Sequence, residues 1–183
     1  MAISNVKPIQ QRNEIIIPGI AANGSLYPIE KMQAHREGAF HLAISVFVFS
    51  GNALLLQRRA LHKYHCGGLW ANTCCTHPHW NEDAAVAANR RLDEELGVTL
   101  DLRETRIVEY SADVGNGLWE HERVHMFVGT ANADVLRVKP NPDEVAETRW
   151  FTADALHQHI RAQPEQFTPW FRIYVERYPD LTF

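Results

Sequence analysis

The sequence predicts an α/β fold in which helices pack on a mixed β-sheet. Two apolar runs of strand length stand close together at 41–49 and 53–57, and a segment with strong helix signals follows at 81–97. Further strand-like runs and two more helical segments continue towards the C-terminus. With 183 residues, 45% of them hydrophobic and 22% charged, the chain has the size and composition of one globular domain with a substantial core.

The first predicted element is a β-hairpin. Its strands are HLAISVFVF at 41–49 and ALLLQ at 53–57, and the intervening SGN suits a tight turn. A loop that carries the cysteines follows it. The longest apolar run, LAISVFVF at 42–49, is far too short to cross a bilayer, so no membrane role is expected.

The clearest helix lies between Asn81 and Gly97. Asn81 is predicted to cap it, Glu82 and Asp83 suit its positive end, and Gly97 is predicted to end it. One stripe of this helix is expected to face the core, and it consists of Ala85, Ala88, Leu92 and Leu96.

The second half of the chain is expected to complete the sheet and cover it. Three runs predict strands, namely TRIVEY at 105–110, ERVHMFVGT at 122–130 and ETRWF at 147–151. A helix is predicted from Thr152, and another opens at Thr168 and Pro169, where proline suits the first turn.

Composition also limits the domain organisation, the partners and the location. The chain is expected to form one domain, 1–183, with its core at about 26–178 and a flexible segment at 1–12. A formal net charge of −4 gives no overall basic field for nucleic acid, so an anionic ligand requires local cations. Three cysteines, an odd number, without a charged and then apolar leader indicate a reducing cytoplasm.

The predicted helix at 81–97 carries a charged pattern with a specific register. Arg91 and Glu95 share one helix face, which by composition alone is typical of a solvated, ion-paired surface. The spacing, however, resembles the Nudix box, G-x5-E-x7-R-E-U-x-E-E-x-G-U, where U is a bulky aliphatic residue. The matching positions are Glu82, Arg90, Leu92, Glu94, Glu95, Gly97 and Val98. Thr76 replaces the leading glycine, and Arg91 replaces the first glutamate of the R-E pair.

Further segments resemble one branch of that superfamily, the type I isopentenyl diphosphate isomerases. The resemblance covers about 26–178 and implies a single-domain, Nudix-like α/β/α sandwich around a mixed sheet. It also implies metal-dependent conversion of isopentenyl diphosphate to dimethylallyl diphosphate in isoprenoid biosynthesis. The segments that carry it are EKMQAH at 30–35, HLAISVFVF at 41–49, LLLQRRALHK at 54–63, GLWANTCCTHP at 68–78, RRLDEELG at 90–97, Tyr110, EHE at 120–122 and TPW at 168–170.

The resemblance also implies roles for individual residues. Cys75 would be the thiol acid/base and Glu122 the carboxylate on the opposite side of the substrate, with Tyr110 beside Glu122. Glu95 and the backbone carbonyl of Cys75 would help to hold Mg²⁺ on the diphosphate. The ligands of a second divalent metal would be His35, His41, His77, Glu120 and Glu122. The positions facing the phosphates would be Arg58, Arg59, Lys63 and Arg91, and Trp170 would close the hydrocarbon pocket.

The residue types suit these roles. Glu120 and Glu122 are two apart on a predicted strand, so both carboxylates point to one face and can converge on a metal. Imidazoles and carboxylates together suit Mn²⁺ or Mg²⁺, with Zn²⁺ as an alternative occupant. Arg58 and Arg59 alternate between the faces of a strand end, so one of them is expected to reach the ligand.

Several alternatives stay open at this point. Arg91 removes a carboxylate from the Nudix cluster and repels cations, which weighs against hydrolysis, but a Nudix pyrophosphohydrolase acting on another organic diphosphate is the main rival. A Cys75–His77 nucleophilic hydrolase and a metal-dependent binding module are further candidates. The expected partner is a small-molecule diphosphate. The sequence does not decide whether the protein is a monomer or a homodimer. A structural zinc site is less favoured because paired C-x2-C motifs are missing, and its ligands would come from His62, His65, Cys66, Cys74, Cys75 and His77.

Overall fold

A computed structural model describes residues 14–178 of the protein, and the predicted flexible segment at 1–12 lies outside this range. Within it, nine strands form one sheet. The strands are β1 (Ile16–Ile20), β2 (Leu26–Glu30), β3 (His41–Ser50), β4 (Ala53–Arg59), β5 (Trp70–Ala71), β6 (Cys74–Thr76), β7 (Arg103–Gly115), β8 (Leu118–Thr130) and β9 (Val145–Thr152). The helices are α1 (Lys31–Glu37), α2 (Ala84–Leu96), α3 (Ala153–Ala162) and α4 (Pro169–Arg177), with a 3₁₀ turn at Pro164–Gln166.

Strand β3 is the centre of a mixed sheet, as the sequence predicts. It runs parallel to β8 along most of its length and antiparallel to β1, β4 and β6. Strand β7 extends the sheet beyond β8, and β9 pairs with β4. The predicted hairpin of β3 and β4 is confirmed, with Gly51 in the left-handed region of its turn (φ 57°).

The core has two layers because β3 is buried on both faces. Phe47 packs with Trp170 and Phe171 of α4 and with Leu156 of α3. The alternate residues of β3 pack on the other face against the apolar side of α2, and this layer includes Ile44, Val46, Val48, Ala88, Leu92 and Leu96. Helices therefore cover both faces of the sheet, and the predicted α/β/α sandwich is confirmed.

Helix α2 begins later than predicted. Asp83, and not Asn81, is its N-cap, because the Asp83 side chain accepts hydrogen bonds from the backbone N–H groups of Ala85 and Val86. Asn81 instead adopts a left-handed conformation (φ 66°) in the preceding turn. Ala85, predicted to be buried, is exposed, whereas Gly97 ends the helix as expected (φ 61°).

Other elements are longer than predicted or have no sequence prediction. Strands β7 and β8 extend to meet at a turn of Gly115, Asn116 and Gly117, all with positive φ. Strands β1, β2, β5 and β6 and helix α1 were not predicted, since each is short. The helices expected after Thr152 and at Pro169 are confirmed as α3 and α4. In the described part of the chain, no helix combines the length and apolar character needed to span a membrane.

Candidate active site

The sheet register brings the predicted site residues together around β3. His41 of β3 pairs with Glu122 of β8, and Ser45 of β3 pairs with Cys75 of β6 on the other side. Positions 41 and 45 share one face of β3, so the imidazole, the carboxylate and the thiol reach the same side of the sheet. Tyr110 of β7 pairs with Glu122 and joins them.

Three histidines and one carboxylate form a compact buried cluster. His35 comes from α1, His41 from β3, His77 from the segment after β6 and Glu122 from β8. Each offers one ligand atom, and these atoms all lie within 4.8 Å of one another. Four of the five sequence-predicted ligands therefore converge although they are distant in the chain, and Glu120 belongs to a second group that shares His35.

Backbone contacts fix which ring nitrogens face this cluster. Nδ1 of His35 lies 2.8 Å from the carbonyl of Lys31, and Nδ1 of His41 lies 2.7 Å from the carbonyl of Ala39. A carbonyl only accepts, so each Nδ1 carries the hydrogen and each Nε2 presents a lone pair to the cluster. Histidines that ligate metals commonly have this support on the far nitrogen.

Two ring nitrogens of this cluster lack hydrogen-bond partners among the described residues. Nε2 of His35 and Nδ1 of His77 are buried without a hydrogen-bond partner within residues 14–178. Nε2 of His41 instead faces Nε2 of His77 at 3.1 Å. Burial lowers the pKa of His35 to about 4 and that of His77 well below its usual value, so both rings are neutral, which is the form that binds metals. This donor set fits a divalent ion.

Two carboxylates share one phenol beside the cluster. The hydroxyl of Tyr110 lies 2.7 Å from Oε2 of both Glu120 and Glu122. Burial and the charge of Glu122 raise the pKa of Glu120 well above its usual range. Burial also opposes the charge on Glu122, but the adjacent imidazoles of His41 and His77 hold its pKa well below that range. One phenolic hydrogen cannot satisfy two carboxylates, so the environment favours a proton on Glu120 over one on Glu122.

The Cys75 thiol lies in a hydrogen-bonded chain with a fixed direction. The amide nitrogen of Asn72 donates to the carbonyls of Val46 (3.1 Å) and Cys74 (3.0 Å), so its Oδ1 must accept from the Cys75 Sγ–H at 2.8 Å. Ser45 Oγ, 3.3 Å from Sγ, is then the donor to sulfur, and it lies 3.2 Å from the Tyr174 hydroxyl. Burial raises the Cys75 pKa to about 12, so the group rests as a thiol.

A cationic mouth lies next to these groups. Its side chains include Lys31, Arg59, Lys63 and Arg91, with Glu95 and Glu144 among them. Burial and the charges of Arg91 and Arg59 lower the pKa of Lys31 to about 8. In the described part of the chain, Nε of both Arg59 and Arg91 is buried without a hydrogen-bond partner. Donors left unpaired in a cationic pocket suit an anion with several oxygens.

Glu95 is held in place from two sides. Its carboxylate accepts from Gln57 Nε2 at 2.8 Å and from Arg91 on the same helix face. Arg91 also reaches Glu144 at 3.3 Å. Arg91, which replaces a Nudix glutamate, therefore tethers the retained Glu95 beside the mouth.

The neighbouring arginines of β4 point in different directions. Arg59 lines the pocket, with its guanidinium 5.4 Å from the ring centre of Trp170, and its Nη2 donates to the His65 carbonyl at 3.3 Å. Arg58 faces outwards, is 46% exposed and donates to the carbonyl of Gly68. Of the two positions that the resemblance assigns to the phosphates, Arg59 lines the pocket and Arg58 does not, because side chains alternate along a strand. Trp170, only 2% exposed, forms part of the pocket wall.

The predicted site lacked several residues that the structure adds. Ser45 could have been found as a polar residue inside an apolar strand, HLAISVFVF. Lys31, Tyr64, Glu144 and Tyr174 have no such local signal, since tertiary packing alone brings them to the pocket or the thiol. His65, considered above only as a zinc ligand, also lines the pocket.

The geometry does not support the two cysteine alternatives. Cys74 is buried among apolar residues that include Ala88 and Leu92, and the candidate metal ligands in the described part of the chain are histidines and glutamates. His77 Nε2 contacts Glu122 at 3.0 Å and Cys75 contacts Asn72, so no Cys75–His77 pair forms among these residues.

Comparisons with known proteins identify the family of the chain. A family model described as the NUDIX domain matches residues 39–171. Proteins named isopentenyl-diphosphate Delta-isomerase are 55% identical in Rhodobacter capsulatus (over 161 residues, 87% of this chain and 91% of that protein) and 49% identical in Roseobacter denitrificans (over 170 residues, 92% and 96%).

Solved structures show the same fold. A protein of Deinococcus radiodurans aligns with a TM-score of 0.65 at 15% identity, covering 80% of this chain and 89% of that one. A MutT protein of Methanosarcina mazei aligns with a TM-score of 0.60 at 18% identity, covering 77% and 94%. At these identities the likeness concerns the fold, and the family follows from the sequence matches. The chain therefore belongs to the NUDIX family and, within it, to the isopentenyl-diphosphate Delta-isomerases.

Proposed function

We propose that this enzyme interconverts isopentenyl diphosphate and dimethylallyl diphosphate by adding one proton to the substrate and removing another. The observation that carries the proposal is the placement of the Cys75 thiol and the Glu122 carboxylate on the two strands that flank β3. They face one pocket with a cationic mouth. Acid and base of this kind are what a double-bond shift needs.

The chemistry assigns complementary tasks to the two groups. The alkene of isopentenyl diphosphate is unactivated, so an acid must protonate its terminal carbon, which gives a tertiary carbocation-like species. A base must then remove a proton from the carbon on the other side of the cationic centre, and the double bond re-forms there. Cys75 and Glu122 are proposed as this pair, with Tyr110 moving or holding a proton beside Glu122.

The cationic mouth is proposed to hold the diphosphate. The unpaired Nε hydrogens of Arg59 and Arg91 would donate to its oxygens, and Lys63 would add charge. Glu95 and the backbone carbonyl of Cys75 would hold Mg²⁺ on the diphosphate, a cation that binds few protein oxygens together with phosphate. These contacts would keep a good leaving group attached while a cationic species exists.

The buried cluster is proposed to hold a second divalent metal, Mn²⁺ first and Mg²⁺ or Zn²⁺ as alternatives. Its ligands would be His35, His41, His77, Glu120 and Glu122, and the unpartnered nitrogens described above support the fit. When bound, the ion supplies positive charge that lowers the proton affinity of the neighbouring carboxylates. Glu120 would lose its proton to bind it.

Exclusion of water is the remaining requirement, because water would capture a carbocation. Trp170 is buried in the pocket wall, edge-on to His65 at 5.8 Å between ring centres. We propose that its ring covers the hydrocarbon and stabilises positive charge through its face.

The three cysteines are free thiols, which supports the proposed location in the cytoplasm.

The test is proton NMR of the purified enzyme with isopentenyl diphosphate, Mg²⁺ and Mn²⁺ in D₂O, with released phosphate measured in parallel. Deuterium-labelled dimethylallyl diphosphate without phosphate release is the expected result. Phosphate release would support the rival pyrophosphohydrolase, which would use the retained Glu94 and Glu95 of the Nudix box. An unchanged substrate would leave a metal-dependent binding module.

A further inference from the structure

We propose that His65 is an additional ligand of the buried metal site, so that a bound ion has two overlapping positions that share His35. The inference deepens the proposed function and rests on it in one respect, namely that His35, His41, His77 and Glu122 hold a metal. It adds a fourth imidazole to the ligand set.

His65 lies close to His35 and Glu120. His35, His65 and Glu120 form a second group whose ligand atoms all lie within 4.8 Å of one another, and all three are buried. Nε2 of His65 lies 3.7 Å from Oε1 of Glu120, and its ring stacks on that of His35 with 5.8 Å between centres and 25° between planes. The two groups of ligands have only His35 in common.

Two ring nitrogens in this group lack a hydrogen-bond partner among the described residues. His65 is 3% exposed, and its Nδ1 has no hydrogen-bond partner within the described range of the chain. The Nε2 of His35, buried between the two ligand groups, is equally unpaired there. Buried polar atoms are normally paired, so His65 and His35 each carry a nitrogen that packing leaves unsatisfied, next to the Glu120 carboxyl.

Packing alone does not account for His65. Its ring contacts Trp170 and Tyr64 edge-on, at 5.8 and 4.4 Å between ring centres, contacts that a phenyl ring would make without burying a nitrogen. Its backbone is held by Arg59, whose Nη2 donates to the His65 carbonyl. An imidazole at this position, on a segment anchored to β4, is what a ligand requires.

Because His35 belongs to both ligand groups, it limits how many metal ions can bind at once. Nδ1 of His35 is engaged by the Lys31 carbonyl, so only Nε2 is available, and one lone pair binds one ion. The cage is therefore expected to hold a single ion that lies nearer His77 or nearer His65. The position nearer His65 offers two imidazoles and one carboxylate, a ligand set that suits Zn²⁺ and Co²⁺ better than Mg²⁺.

The test uses the metals alone, added to metal-free protein. His65→Phe keeps an aromatic ring and removes the nitrogens, and His62→Ala, at an exposed position of the same segment, is the matched control. We expect His65→Phe to weaken Zn²⁺ binding by at least about 10-fold in competition with a chromophoric chelator and to change the Co²⁺ absorption spectrum. His62→Ala should alter neither. Equal Zn²⁺ affinity and equal spectra in wild type and His65→Phe would overturn the proposal.

A second measurement needs no variant and guards against misfolding of His65→Phe. Pulsed electron paramagnetic resonance of Mn²⁺-loaded wild type should resolve two bound populations that differ in their nitrogen couplings, one for each position, whereas a single population would contradict the inference. Failure of the isomerase assay would overturn the proposed function without affecting these readings. A wild-type protein that binds neither Zn²⁺ nor Co²⁺ would overturn the metal site and His65 together.

Discussion

At the scale of single residues, adjacent positions have opposite surroundings in this protein. Cys74 is buried in the apolar layer under α2, while Cys75 faces the pocket and contacts Asn72 and Ser45. Arg58 and Arg59 show the same alternation. Neighbouring residues of one type therefore serve as matched controls for each other.

The two cysteines test the proposed chemistry directly. Cys75→Ala should lower the isomerisation rate by about 10²–10⁴-fold or more, because it removes an acid/base group. Cys74→Ala should retain most activity and lower the free energy of unfolding by roughly 1 kcal/mol, as a small core truncation does. Rates and urea denaturation of both variants provide the measurement. Equal losses of activity would contradict the assignment of Cys75, and Glu122→Gln is expected to behave like Cys75→Ala.

The two arginines test the diphosphate subsite. Arg59→Ala should raise KM for the substrate about 10-fold or more, since a hydrogen bond to a charged group contributes about 1.5–3 kcal/mol. Arg58→Ala, which removes an outward-facing side chain, should change KM little. Steady-state kinetics over a range of substrate concentrations separates the two. A larger effect from Arg58→Ala would reverse the orientation described here.

At the scale of elements, α2 links the sequence pattern to the site. Its spacing identified the family, and Gly97 ends it as predicted, but its start was misplaced because Asn81 and Asp83 are both good caps. The short strands β5 and β6 could not be predicted from two or three residues each, although β6 positions Cys75. Motif spacing thus located the site, whereas the contacts of Ser45 with Cys75 and Tyr174 depend on tertiary packing.

The cap of α2 has a measurable effect. Asp83→Ala should lower the free energy of unfolding by about 1 kcal/mol, because two backbone N–H groups lose their acceptor. Asp93→Ala, at an exposed position within the same helix, serves as the control and should not destabilise the protein. Chemical denaturation of both variants would decide, and equal stability of Asp83→Ala and wild type would argue against Asp83 as the cap.

At the scale of the whole molecule, the buried histidines link stability to acidity. Burial lowers the pKa of His35 from 6.5 to about 4 and that of His65 to about 2. The unfolded chain therefore binds more protons at these positions below pH 6.5 than the native chain does. By linkage, stability rises with pH in this window and falls as the pH is lowered.

The prediction concerns the metal-free protein. Each buried neutral histidine should contribute a loss of about 1.4 kcal/mol per pH unit between pH 6.5 and about 4. Glu120 acts in the opposite direction, since its raised pKa favours the native state at low pH, but the histidines outnumber it. Urea denaturation followed by tryptophan fluorescence across this range gives the slope. A flat profile, or stability that increases on acidification, would contradict the neutral state of the histidines.

The register of β3 also restricts how the gene can change in length. His41 pairs with Glu122 and Ser45 pairs with Cys75, so both pairs depend on one uninterrupted strand. A single codon inserted between positions 41 and 45 would shift one end of β3 by one residue. The side chains there would then point to the opposite face of the sheet. Insertions and deletions should therefore accumulate in connections such as 131–144 and be purged from β3 and β8, so the spacing from His41 to Ser45 should outlast most other distances along the chain during evolution.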